Sequence, residues 1–101
     1  MSVLKNILSE SQGYYLDIKK KIEKKLAVLP KGSVKERKIS GIKYYYLQHR
    51  AGDKVVHQYL GKKRPERLLN RLNERRLLKA QLKKAKEALK VLKKAIGDKN
   101  D

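Results

Sequence analysis

The chain has no cysteine, no tryptophan and no phenylalanine, and each absence closes off a class of function. Without cysteine there is no disulfide framework and no cysteine-bound zinc. Without tryptophan or phenylalanine, an amphipathic helix lacks the usual side chains of a membrane-insertion face. No apolar run approaches the ~20 residues that a spanning helix needs, and the first residues lack the apolar core of a signal peptide. Histidine occurs only at His49 and His57, too few for a metal site when no carboxylate stands at ligand spacing. There is no pair of carboxylates, no serine–histidine–acid set and no glycine-rich phosphate loop. The expectation is a protein that is not an enzyme, with no metal, no cofactor and no membrane span.

Negative charge is scarce too. Ten Asp and Glu stand against 28 Lys and Arg, giving a net charge of +18 and a pI near 10.2. With 40% hydrophobic residues the chain is too apolar for a disordered tail. Its 101 residues make one small domain with a modest core. An excess of one sign calls for an acidic partner, nucleic acid before an anionic membrane, met in the cytoplasm at the nucleoid.

Periodicity divides the chain into three. Leu4, Leu8, Tyr15, Ile18, Ile22 and Leu29 recur at helical spacing, with steps of seven across Ser11 and Lys25. They predict one kinked helix over about Val3–Val28, or a short helix and a longer one. Ser9 to Gln12 is a candidate capping box, Gly13 weakens the helix, and Pro30 and Gly32 end it. Two dipeptides, Ser40-Gly41 and Gly52-Asp53, then separate three short runs, the pattern of two-residue hairpin turns. The runs predict an antiparallel meander of Ser33–Ile39, Ile42–Ala51 and Lys54–Leu60.

A long basic helix follows from Pro65 to Ile96, roughly 48 Å in length. Proline suits its first turn, Glu66 its positive end, and Gly97 its stop. Leu78, Leu82, Ala85, Leu89, Leu92 and Ile96 form a short coiled-coil seam. It would pair with the first helix as a hairpin, or with a second chain as a homodimer. The tail Asp98–Asp101 should fray. The fold class is therefore α+β, in the order helix, three-stranded meander, long helix.

Counting outward from the two turns sorts the sheet into faces, because opposite and alternate residues share a face. Val34, Tyr45, Leu47, Val56 and Leu60 fall on one, with Tyr45 opposite Leu60. Lys35, Arg37, Tyr44, Tyr46, Gln48, Arg50, His57 and Tyr59 fall on the other, with Tyr46 opposite Tyr59. A three-residue second turn, Ala51–Asp53, would instead carry Tyr59 to the buried face.

The second face suits a nucleic acid. Lys35, Arg37 and Arg50 can neutralise phosphates, Gln48 or an arginine can reach base edges, and Tyr44, Tyr46 and Tyr59 can stack on unpaired bases. The plainer use of Tyr44 and Tyr46 is to lie under a second helix. Beyond the sheet, Lys62, Lys63 and Arg64 precede the long helix, and Arg67, Arg71 and Arg75 follow at spacing four, a track for a phosphate backbone or simply a solvated face.

The segment "KGSVKERKISGIKYYYLQHRAGDKVVHQYLGK" resembles a recurring module of small bacterial, archaeal and phage proteins. The matching positions are Gly32, Ser33, Val34, Arg37, Tyr44–Leu47, Arg50, Gly52, Lys54, Val55, Tyr59, Leu60 and Gly61, about a third of the chain. That module is largely of unknown function. More distantly, three strands followed by a helix are similar to the arm-site DNA-binding domains of phage integrases, which lay such a sheet in the major groove. The tryptophan and the Thr-Lys-x-Glu-Ala pattern usual there are absent, so the analogy is one of fold.

Nucleic-acid binding, with DNA somewhat ahead of RNA, is the leading expectation. The rival is a module that meets an acidic protein surface, such as an antitoxin or a phage inhibitor of a nucleic-acid-dependent host complex.

Overall fold

The element order is helix, three antiparallel strands, helix, and the chain is an α+β protein. The computed structural model describes residues 3–97, so the tail expected to fray lies outside the described residues. Helix α1 is Val3–Val28, strands β1, β2 and β3 are Ser33–Ile39, Ile42–Ala51 and Lys54–Gly61, and helix α2 is Glu66–Ile96. Helix α1 runs through Gly13 without interruption, so Ser9 caps nothing. At the start of α2 the Leu69 amide donates to the Pro65 carbonyl at 2.9 Å. Proline thus stands at the capping position, where its missing N–H costs nothing. At the far end the Gly97 amide donates to the Lys94 carbonyl at 3.2 Å, and the left-handed φ of Gly97, 82°, turns the chain out of the helix.

The residues gather into two compact units. One joins α1 to the part of α2 from Leu77 onward, and the other is Leu29–Arg76. In the helical unit Ile22 and Ala85 are buried, and Leu78, Leu82, Leu89, Leu92 and Ile96 are half-buried. The expected seam of α2 is therefore its shielded side. On α1 the shielded line departs from expectation at both ends. Leu4 is 66% exposed, and between Ile22 and the half-buried Leu29 the line also takes in the half-buried Leu26. The solvated side of α1 carries the ion pairs Lys21–Asp17 at 3.1 Å and Lys19–Glu23 at 3.9 Å, each worth a few tenths of a kcal/mol.

In the second unit both turns have two residues. Ser40 and Gly41 both have positive φ, 51° and 82°, as a type I′ turn requires; at the other turn Gly52 has φ 68°, which fits type II′. Tyr44 pairs with Arg37, Tyr46 with both Lys35 and Tyr59, and Gln48 with His57, as counted from the turns. The count fails at one point. Tyr45 lies opposite Gly61, not Leu60, because a register shift falls between Tyr45 and Tyr46. Leu60 is the extra residue of a β-bulge, and Gly61 beside it takes a φ of 120° that other residues rarely adopt. Strand β3 consequently runs one residue further than the expected Leu60.

The buried side chains of this unit are Tyr45 on the sheet and Leu72 on the first turns of α2, the one helical segment the unit contains. Val34, Leu47 and Leu60 are half-buried, whereas Val56, expected inside, is 37% exposed. It pairs with His49 near the second turn, away from Tyr45. Burial on this face is therefore concentrated around Tyr45.

Gly32 joins the loop after α1 to β1 with a φ of 122°, and a Cβ placed there would stand 2.5 Å from the Gln48 carbonyl oxygen. That oxygen is backbone and cannot swing away. Gly32→Ala should cost at least ~1–3 kcal/mol from the backbone conformation alone, read as a lower urea midpoint at unchanged slope. In the helical unit, Leu82→Lys combined with Leu89→Lys should lower the melting temperature or change the mass in solution. If neither moves, the seam is solvated.

Candidate nucleic-acid interface

The sheet's open face is built by strand alternation. Lys35 and Arg37 come from β1, Tyr44, Tyr46, Gln48 and Arg50 from β2, and His57 and Tyr59 from β3. Lys35, Arg37, Arg50 and His57 are exposed, Tyr44, Tyr46 and Gln48 are half-buried, and Tyr59 is 54% exposed. The three rings form one aromatic strip. Tyr59 lies 5.4 Å from Tyr46 and 6.4 Å from Tyr44 between ring centroids, tilted by 56° and 45°. Such separations are those of interacting rings, worth about 0.5–1.5 kcal/mol per pair beyond burial.

Cations stand at both ends of the strip. The Arg37 guanidinium carbon is 5.5 Å from the Tyr46 ring centroid, and the Lys62 ammonium is 5.9 Å from that of Tyr44. Both lie within cation–π range. The position of Lys62 follows from the bulge. Without the extra residue, alternation would have turned Lys62 towards the Tyr45 face. With it, Lys62 comes round to Tyr44.

No residue of the open face is acidic. The reverse face carries Glu36, whose carboxylate is 3.8 Å from the Lys43 ammonium. Between β1 and the centre of the sheet lies a hollow of about 420 Å³, lined by Lys35, Glu36, Arg37, Tyr46, Gln48 and His57.

The basic segment after the sheet does not all join this face. Lys63, Arg64, Arg67 and Arg71 line a separate hollow of about 690 Å³ together with Leu60, Pro65, Glu66 and Leu68. Arg64 is committed there to an ion pair, its Nε 2.6 Å from the Glu66 carboxylate. Arg75, the third member of the row at spacing four, is half-buried and donates from Nη1 to the Leu29 carbonyl at 3.5 Å. It ties the helix to the strand-side loop, so Arg67 and Arg71 are the part of the row turned outward.

Counting from the turns pairs Ile39 with Ile42 and Arg50 with Val55, as observed, but it left Ile39, Ile42 and Val55 out of the open face, to which they belong. They are 51%, 44% and 48% exposed, and give the basic face apolar ends. Alternation alone could have placed them. Gly61 was the available signal for the bulge, since an isolated glycine at a strand end is a common bulge position. Among the described residues there is no cluster of His, Cys, Asp and Glu fit to hold a metal ion.

Residues 15–70 match the family described as Domain of unknown function (DUF6788), and the chain belongs to that family. The match takes in the whole sheet and the opening turn of α2, the elements that carry the basic aromatic face. No curated protein and no solved structure matches the chain.

The two faces should respond differently to truncation. Tyr45 is 8% exposed, and Tyr45→Ala should destabilise the protein by ~3 kcal/mol or more, the scale of aromatic core truncations. Tyr46→Ala removes a cross-strand ring contact and should cost ~1 kcal/mol. Denaturant melts of the two variants make the comparison. Equal losses would mean that the open face is covered.

Proposed function

We propose that this chain binds nucleic acid through the open face of its sheet, with Lys62 as part of that face and Lys63, Arg64, Arg67 and Arg71 as a flanking basic patch. The supporting observation is the sorting of charge. The face combines Lys35, Arg37, Arg50 and Lys62 with three tyrosine rings, Gln48 and His57, and no carboxylate. A polyanion meets cations there, with Glu36 at the rim of the hollow held by Lys43, and the rings, the amide and the imidazole offer contacts to bases. The net charge of +18 supplies long-range attraction and fast encounter. DNA stands somewhat ahead of RNA as the ligand. The order of three strands and a helix, like that of integrase arm-site domains, adds to the case for DNA only as an analogy of fold. The cytoplasm, at the nucleoid, is where such a ligand is met.

A second reading rests on the helical unit. A groove on α2 places Lys79, Lys83, Lys86 and Lys90 around Leu82, with Glu87 as its one acid. Its charge suits an acidic protein segment with apolar residues, the partner expected of an antitoxin or an inhibitor of a nucleic-acid-dependent complex. Four lysines around one leucine weigh against a second copy of the same basic chain in that groove. The two readings use different surfaces and can both hold.

No helix among the described residues is long and apolar enough to cross a membrane. Binding should be governed by salt. If about six phosphates are neutralised, the slope of log affinity against log salt for duplex DNA should be about −5. Polarisation titrations with duplex DNA, single-stranded DNA and hairpin RNA at several salt concentrations, with random competitor present, measure it. A slope near zero, or no binding at low salt, overturns the proposal.

A further inference from the structure

We infer that the open face takes unpaired nucleic acid in preference to duplex, with one base lying on Tyr59 and its neighbour seated in the hollow beside Tyr46. This inference rests on the nucleic-acid reading above and narrows it to a strand whose bases are free to turn outward. The first argument is the accessible ring. Tyr59 is the most exposed of the three tyrosines on this face, 54%, yet Tyr46 and Tyr44 hold it at 5.4 and 6.4 Å. A ring positioned by its neighbours and open to solvent loses little freedom when a base stacks on it. A duplex offers only base edges in its grooves, because its base faces are already stacked.

The second argument is the hollow. At about 420 Å³ it falls within the ~300–1,000 Å³ range of small-ligand sites. Tyr46 supplies an aromatic wall, while Gln48 and His57, paired across β2 and β3, supply donors and acceptors from its floor. Lys35 and Arg37 stand at the same hollow, on the β1 side, where the phosphate of a base lying against Tyr46 would pass. Glu36 also reaches the rim, and its charge is answered by Lys43.

The third argument is the order of groups. Arg37, Tyr46, Tyr59, Tyr44 and Lys62 run in one continuous line of ring and cation contacts. Bases over the rings with phosphates at the two cations match an extended strand. A groove-reading sheet would instead need long polar side chains along this central line, to reach the base edges. Its centre here is aromatic.

The test uses the full chain with four fluorescein-labelled probes of equal length: thymidine, uridine and adenosine oligomers, and the duplex of the thymidine oligomer with its complement. At matched salt, all three single strands should bind more tightly than the duplex, and the thymidine–uridine pair tells DNA from RNA. Tyr59→Ala should weaken single-strand binding roughly five- to 150-fold, the equilibrium equivalent of one base–aromatic stack. Tyr59→Phe should recover most of that loss, since the ring and not the hydroxyl stacks. Gln48→Ala should change the ratio of thymidine to adenosine oligomer affinity, which a purely structural role would not. Because the chain has no tryptophan, its intrinsic emission comes from tyrosine, and stacking should quench it with single strands. Circular dichroism melts check that each variant is folded. Salt-dependent binding in which the duplex equals or exceeds the single strands, with Tyr59→Ala unchanged, overturns this inference and leaves the nucleic-acid reading standing. No binding to any probe overturns both.

Discussion

The molecule turns on the parity of two hairpin loops. In a sheet only about three residues wide at its centre, adding one residue to either loop would move a whole strand's side chains to the opposite face. Both loops have two residues, so Tyr46 and Tyr59 meet on one side while Tyr45 is buried on the other. The aromatic strip, the exclusion of acids from it and the shielding of Tyr45 all depend on that parity. The single bulge at Leu60 departs from it after the strip is complete, and so adds a cation to the strip instead of dispersing it.

Around that arrangement the chain keeps little interior. The buried hydrophobic residues among those described are Ile22, Tyr45, Leu72 and Ala85, two in each compact unit. A core so small leaves most cohesion to half-buried leucines and to the strand ladder. Against it stands the mutual repulsion of a strongly basic surface. Ligands that bind the folded state and carry negative charge offset that repulsion and add their own binding energy to stability. Under the proposed function, binding and stability are therefore coupled through the same cations.

Most of the fold was legible because its signals are local. The Ser-Gly and Gly-Asp turns, the alternation of β2, Pro65 ahead of α2 and Gly97 behind it each state their own geometry. The register of Tyr46 against Tyr59 followed from loop length alone. What could not be read depends on neighbours. The bulge arises where β3 must both pair with Tyr45 and leave the sheet, the exposure of Val56 follows from where burial on its face ends, and the withdrawal of Arg75 requires the Leu29 carbonyl to be nearby. The candidate face was legible as a list of residues. Its division from the Lys63–Arg71 hollow was not, since alternation says nothing once the chain leaves the strand.

The strand order β1-β2-β3 leaves two open flanks, and they are not equivalent. The flank formed by β1 presents Lys35, Glu36, Arg37 and Lys38 in unbroken succession. A further strand added there would lay its backbone against four charged side chains, a common guard against sheet growth. The flank formed by β3 begins with Lys54 and then presents Val55, Val56, His57, Gln58 and Tyr59, with no lysine, arginine or carboxylate among those five and all of them solvent-exposed. The guard against lateral growth of this sheet is therefore stronger along β1 than along β3.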